Sequence, residues 1–404
     1  MVVSIRKLLI TIIMYGLFIR QLYSYVGMPY SADPGSYAWQ QLPAGNSLTV
    51  ALEIIVLACL VMLILHEFSF FTYCTTRTYI LIFLCLSMGI FYWTFLTALD
   101  IGLVEMLYST TAPFVYLTGL CVCIGADVES YQYFLTHAKL IGTISLILSI
   151  IAYVLFLRTH PTGVLANSSV LVLYIQAFWL LCICSFGGGR SRSRTVYLEI
   201  CIAGILAVLF NSRSWIIQTI IWLLSYAYCQ DKRKGLVKVL KILALVMIMA
   251  VVVYNIINSL YPDILTHLIN KPSVSDTRSA QYTDLFRQTH LTDFLFGRGY
   301  TFQYQSSLQG GLYSYIDNTY ILILIRYGFS IGLMYPLMFI YPVVRRKYHK
   351  DVIPVLMWLA ALGGLSIYCV PTLDLKSIAL AVIAGHCLQQ REYKEESEEC
   401  SVKC

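Results

Sequence analysis

The chain has 404 residues, 58% of them hydrophobic and only 12% charged, with a formal net charge of +7. That charged share is roughly half the share in an ordinary soluble domain, which excludes a water-soluble enzyme as the default and makes the bilayer the solvent to assume. The basic excess reads as membrane topology, because no basic stripe with interleaved aromatics marks a nucleic-acid partner.

Crossing ~30 Å of hydrocarbon takes ~20 helical residues. Apolar runs predict helices at about 8–26, 48–65, 79–98, 109–126, 140–157, 169–186, 196–210, 215–230, 239–260, 318–342, 352–370 and 377–389. The expected fold class is therefore an all-α integral membrane protein of about twelve transmembrane helices. Arg6 and Lys7 ahead of the first run resemble the start of a signal peptide, but no small-residue cleavage site follows, so the run reads as an uncleaved anchor. Basic residues are retained on the cytoplasmic side during insertion. With the N-terminus inside, 19 of the 28 Lys and Arg fall at cytoplasmic ends, including every strongly basic linker. Both termini are then cytoplasmic. Most of the thirteen cysteines lie in or beside apolar spans, as small hydrophobes do, and the long outer loop has none.

Residues 1–260 thus read as nine helices with short connections, 261–317 as one large extracytoplasmic loop, 318–389 as three further helices and 390–404 as a cytoplasmic tail. The loop is far longer than an ordinary connection, which points to function or to structure of its own. Within it, "SVSDTRSAQYTDLFRQ" predicts a short amphipathic helix with Ser275 or Asp276 as N-cap and Arg278 in its first turns. "FGRGY" should break that helix, and "SSLQGG" marks a second turn.

Three sets of residues can carry chemistry. Arg213, in the polar turn "NSRSW" between the seventh and eighth spans, has the fork geometry for a phosphate, or it snorkels to headgroups. Arg278, Arg287, His290 and Arg298 face outward, against the basic bias, as an anion site suited to pyrophosphate. The alternative is a solvated loop whose arginines pair with Asp276, Asp284 and Asp293. Asp317 and Asn318 open the tenth span, either as a helix cap or, for Asp317, as general base for a sugar hydroxyl. Arg326 lies eight residues deeper, about 12 Å along a helix, and intramembrane charges usually face a cavity or a partner. Glu53, Glu199 and His386 are ionisable residues in other spans that the sequence does not pair. There is no Asp-x-Asp, P-loop, His-Glu-x-x-His or Gly-x-Ser-x-Gly. A membrane-borne donor, with no metal and no cofactor, is the expectation.

"RSAQYTDLF…DFLFGRGYTF…YIDNTYILILIRYGFSIGLMY" resembles the signature region of O-antigen polymerases, the Wzy-type enzymes of the O-antigen polymerase and ligase superfamily. The residues that carry the resemblance are Arg278, Gly297 and Gly299, Asp317 with Asn318, Thr319 with Tyr320, and Gly328 with Gly332. "LFNSRSWIIQTI" is similar to the family's Ser-Arg turn, with Arg213 as its arginine. Together the two patches cover about 70 residues. The resemblance implies a GT-C-like fold in the bacterial inner membrane. It also implies polymerisation of undecaprenyl-pyrophosphate-linked repeat units, for O-antigen or capsule, beside a flippase and a chain-length regulator. Arg213 and Arg278 would stabilise the departing pyrophosphate, assisted by Arg287 or Arg298, with His290, Asn318, Tyr320 and Arg326 contacting substrate. Gly297 and Gly299 would shape the loop, and Asp317 would be base or acceptor positioner. In the related O-antigen ligases, which move the chain onto lipid A core, a histidine precedes the asparagine, so Asp317 departs from that pattern. A repeat-unit flippase, which is not an enzyme, would also have about twelve spans.

Overall fold

The computed structural model describes residues 4–27, 47–68, 76–109, 112–159, 169–187, 193–210, 212–230, 277–307, 310–314, 316, 318–345, 352–361 and 373–402, with isolated helical positions between 244 and 259. These residues are mostly helical. Three helices among them are long and apolar enough to cross a membrane, or four when one bent pair is taken as a single span. The predicted ninth span, 239–260, lies almost wholly outside the described residues, and the eleventh is described only through Ala361.

The chain divides into two compact units. The first comprises Met1–Leu17, Gly45–Phe134 and Ser273–Cys404; the second comprises Phe18–Ala44 and Leu135–Pro272.

In the first unit, the N-terminal half of α1 (Ile5–Gly27) is followed by α2 (Ser47–His66), α3 (Arg77–Ile101) and the short α4 (Leu103–Tyr108). The predicted span at 109–126 is not one α-helix. A nine-residue 3₁₀ segment, Pro113–Cys121, continues into the five-residue α5 (Val122–Ala126). The 3₁₀ rise of ~2.0 Å carries these residues about 25 Å, farther than the same number would reach as α-helix.

α5 crosses α15 (Leu375–Val402), whose buried run from Leu375 to Ala384 forms the centre of the unit. A helix apolar on every side belongs inside a bundle. At the crossing the backbones touch: a Cβ on Gly125 would stand 1.8 Å from the Val382 carbonyl oxygen, and one on Gly385 1.9 Å from that of Val122. Small residues permit this approach. α15 continues as one helix to Val402, through most of the stretch read as a cytoplasmic tail.

Charges close one end of this unit. Arg6 donates to both carboxylate oxygens of Glu67, at 2.6 and 2.8 Å, and meets Asp127 at 3.0 Å, joining α1, the end of α2 and the start of α6 (Val128–Thr159). Lys7 pairs with Glu129 in the same region. Partial burial pushes the Asp127 carboxyl up, but the Ser130 backbone N–H and Arg6 outweigh it and hold the group below its ordinary range. The basic residues read as an anchor signal are thus also a three-helix clamp.

The second unit contains the rest of α6 with α7 (Ser169–Gly187), α8 (Ser193–Leu209) and α9 (Arg213–Gln230). Its core is aromatic. Phe178 stands 5.1 Å from Trp215 and 5.2 Å from Trp222, and the Tyr174 hydroxyl donates to the Ala203 carbonyl at 3.0 Å. Trp215 of the "NSRSW" turn is therefore a core side chain, fully buried, while Arg213 opens α9 with its side chain exposed.

Candidate functional site

The segment after residue 277 folds into a small body of its own within the first unit. α10 (Thr277–Gln288) buries Leu285 against Phe302, Tyr304, Ile316, Leu322 and Ile325, while α11 (Leu291–Phe296) follows after two residues. The predicted turn at "SSLQGG" is the tip of an antiparallel hairpin, β1 (Tyr304–Ser306) with β2 (Gly311–Tyr313), in the register Tyr304 opposite Tyr313 and Ser306 opposite Gly311. An all-α expectation missed it because strands of three residues leave no alternating pattern to read.

Side chains fasten α10 to the hairpin. The Gln288 amide donates to the Gln305 carbonyl at 2.9 Å and accepts from the Gln305 N–H at 2.8 Å, in the manner of a strand neighbour. Asp284 accepts from the Ser307 hydroxyl at 2.6 Å and from its N–H at 2.7 Å. The Ser307 hydroxyl and N–H, with the Arg287 charge nearby, hold the Asp284 carboxyl below the ordinary carboxylate range.

Beyond the hairpin, α12 (Thr319–Gly332) and α13 (Met334–Arg345) meet at a 62° bend where a single span at 318–342 was predicted. Within α12 the helix is itself kinked at Gly328, at φ 62° and ψ −158°, a conformation essentially confined to glycine. Breaking a helix orphans carbonyls, which must be satisfied elsewhere. Here the "FGRG" turn supplies the donors. The Arg298 N–H donates to Ile325 O at 2.7 Å, and the Gly299 N–H donates to Arg326 O at 2.9 Å. The Trp93 indole of α3 donates to Tyr327 O at 3.0 Å. Gly297 and Gly299 stand at φ 82° and 88°, and a Cβ on Gly297 would lie 2.7 Å from Arg326 O. Glycines remote in sequence thus form one backbone-to-backbone contact.

Arg326 lies directly under this contact and is 6% exposed. Its guanidinium sits 4.9 Å over the Tyr300 ring, donates to the Ser314 carbonyl at 2.8 Å and meets the Tyr327 side chain. Tyr300 in turn bonds Ser109, and Thr301 donates to Asp100 at the end of α3 at 2.9 Å. Arg298 is the accessible cation of this group. Its side chain is 42% exposed, 5.0 Å over the Phe302 ring, and only loosely held by the Gln288 carbonyl at 3.4 Å and Asp293 at 4.0 Å. Arg287 is exposed in the last turn of α10, eleven residues before Arg298.

Several expected contact residues serve the fold. Asn318 accepts from the N–H groups of Tyr320 and Ile321 at 3.1 and 3.4 Å, so its side-chain oxygen caps α12. The Tyr320 hydroxyl donates to the Leu359 carbonyl of α14 (Val352–Ala360). The His290 N–H is held by Asp293 at 2.8 Å at the start of α11. Position 278 falls in the first turn of α10, but the Arg278 side chain and all of Asp317 lie outside the described residues. Arg213 belongs to the second unit.

The sequence reading missed Trp93, Asp100, Tyr300 and the ion pair of Asp374 with Lys376 at 3.0 Å, which opens α15. For the last, an acid two residues before a lysine at the start of an apolar run was the available signal. Among the described residues, no group of three or more His, Cys, Asp or Glu side chains is placed to hold a metal ion. Comparison with protein-family models, with curated proteins and with solved structures finds no match to this chain.

Proposed function

We propose that the chain is a polymerase of undecaprenyl-pyrophosphate-linked oligosaccharide repeat units, acting without metal on the outer face of a bacterial inner membrane. It would transfer the growing chain from its lipid pyrophosphate to the non-reducing end of a new unit, for O-antigen or capsule. The reading takes the chain as twelve-spanning, GT-C-like, with both termini cytoplasmic and residues 261–317 outside. The observation that carries it is the junction of the "FGRG" turn with the broken helix at Gly328, which sets an exposed arginine, Arg298, on a rigid backbone platform.

A platform of that kind suits phosphoryl leaving groups. Charge developing on a departing pyrophosphate is best stabilised by donors whose positions are fixed before reaction, and one lost donor commonly costs about 10²–10³ in rate. Arg298 and Arg287 would supply such donors; the resemblance adds Arg278 and, as a separate candidate, Arg213. Asp317 would hold or deprotonate the acceptor hydroxyl. Tyr300, stacked on Arg326, holds the base of the turn that carries Arg298.

The test is a gel-based reaction of the purified, lipid-reconstituted protein with undecaprenyl-pyrophosphate-linked repeat units, without added metal, with Arg278→Ala and Arg298→Ala in parallel. A ladder that grows without lipid A and collapses in the arginine variants supports the polymerase. Product only after lipid A core is added would make the protein a ligase, and glycolipid crossing the bilayer without product would make it a flippase.

A further inference from the structure

We infer that the 291–299 segment is inserted into the bilayer, with Phe296 and Leu295 against the acyl chains of the surrounding lipid. Depth is measured along α3, one of the helices long and apolar enough to span. Thr301 meets Asp100 at the very end of that helix, whereas a Cβ built on Gly299 would lie 3.7 Å from the ring of Trp93, and the Trp93 indole bonds the Tyr327 carbonyl. Trp93 is eight residues inside Ile101, about 12 Å down the axis, on a helix about 37 Å long that overhangs ~30 Å of hydrocarbon by only a few ångström at each end. The turn beside Trp93 is therefore below the headgroups.

Two independent features agree with that depth. Irregular backbone is tolerated in hydrocarbon only where its polar groups are satisfied by protein. The N–H groups of Gly297, Arg298 and Gly299 are all bonded, to Asp293, Ile325 and Arg326. The apolar tip of this segment is also turned away from the protein: Phe296 is 74% exposed and Leu295 is half-exposed, with Thr292 an exposed polar neighbour. Arg298 turns its charge away from this surface, over the Phe302 ring and toward Gln288, as a snorkelling arginine does. Bilayer lipid is the occupant that matches an apolar face at that depth beside a helix long and apolar enough to span.

The inference does not depend on the proposed activity. The test places p-benzoylphenylalanine at Phe296, or at Leu295 as a second site, in the full chain reconstituted into phosphatidylethanolamine and phosphatidylglycerol vesicles with tritiated acyl chains. Phe95 serves as the bilayer reference and Thr283, exposed on α10, as the aqueous one. Illumination should give lipid adducts at 296 and 295 as strong as at 95, with none at 283. Labelling at both sites no stronger than at 283, or cross-links to a second copy of the chain in place of lipid, would overturn the insertion.

Discussion

Replacing Gly328 by alanine should separate the loop from the broken helix. At φ 62° and ψ −158° an alanine is strained by about 1–3 kcal/mol. Its Cβ would also stand 2.5 Å from Leu295 O and 2.6 Å from the Phe296 carbonyl carbon. Both neighbours are backbone, so the contact must open, adding an overpacking cost of about 1–3 kcal/mol. Gly102, at φ 83° with nothing within 4 Å of a built Cβ, isolates the conformational part. Gly328→Ala should thus exceed Gly102→Ala by about 1–3 kcal/mol. Its second signature is faster amide hydrogen exchange at Arg298 and Gly299, whose acceptors, Ile325 O and Arg326 O, sit just before the kink. Gly297→Ala attacks the same contact from the other side, its Cβ being 2.8 Å from Gly328 N. Once the contact has opened, the second alanine should add little, giving a coupling of about 1–2 kcal/mol in a double-mutant cycle. The assay is denaturant or thermal unfolding in one detergent, with exchange read at peptide resolution. If Gly328→Ala costs no more than Gly102→Ala, or the alanines at 297 and 328 add in full, the kink and the turn are not one unit.

The hairpin should undock in acid. The Asp284 carboxyl is depressed in the folded protein, so its contribution is present above the ordinary carboxylate pKa of about 4 and is lost as pH falls through the lower folded value. Exchange protection of β1 should therefore decline below about pH 4 in the wild type, whereas Asp284→Asn should be weaker at neutral pH and show no such step. At α15, Lys376 and Asp374 form a largely buried pair, and removing one partner strands the other charge. Lys376→Met should cost about 3–5 kcal/mol, and adding Asp374→Asn should recover part of it, because the amide still caps α15 through the Ser377 N–H; a double variant no more stable than the single would refute this. Arg326→Lys should destabilise the hairpin junction by about 1–3 kcal/mol, since an ammonium reproduces neither the stack on Tyr300 nor the planar donor set. Arg298→Lys should leave unfolding unchanged and act only on the polymer ladder.

What could be read from the sequence follows from what each signal depends on. Apolar length and helical spacing are local, so α2 and α3, and the helix expected near 275–288, appear close to their predicted positions. The breaks are not local. Gly328 sits in "LIRYGFSIG", where a single glycine in an apolar run costs a helix only about 1 kcal/mol and is usually absorbed. It bends this helix because donors from Arg298, Gly299 and Trp93 wait for the carbonyls it exposes, and those donors lie 29 or more residues away. The 3₁₀ segment at 113–121 escapes in the same way. Its composition is that of an ordinary span, and its packing partners are remote in sequence: Tyr335 against Gly119, and α15 against α5 at Gly125 and Gly385.

The arginines show the same division between residue type and position. From composition alone, Arg287, Arg298 and Arg326 were equivalent, each a cation where the topology rule would remove one. Their surroundings separate them. Arg326 is enclosed by Tyr300, Tyr327 and the Ser314 carbonyl, which makes it a staple between the broken helix and the loop. Arg298 is one residue from each of two positive-φ glycines, its backbone fixed by Ile325 and its guanidinium only lightly tethered. A fixed backbone with a loosely held charged tip is what an anion ligand requires, because the donor's position is set while its hydrogen bonds remain exchangeable. The glycines and tyrosines gathered around "FGRGY" are therefore the means of holding one arginine still enough, and open enough, to meet a phosphate at the bilayer surface.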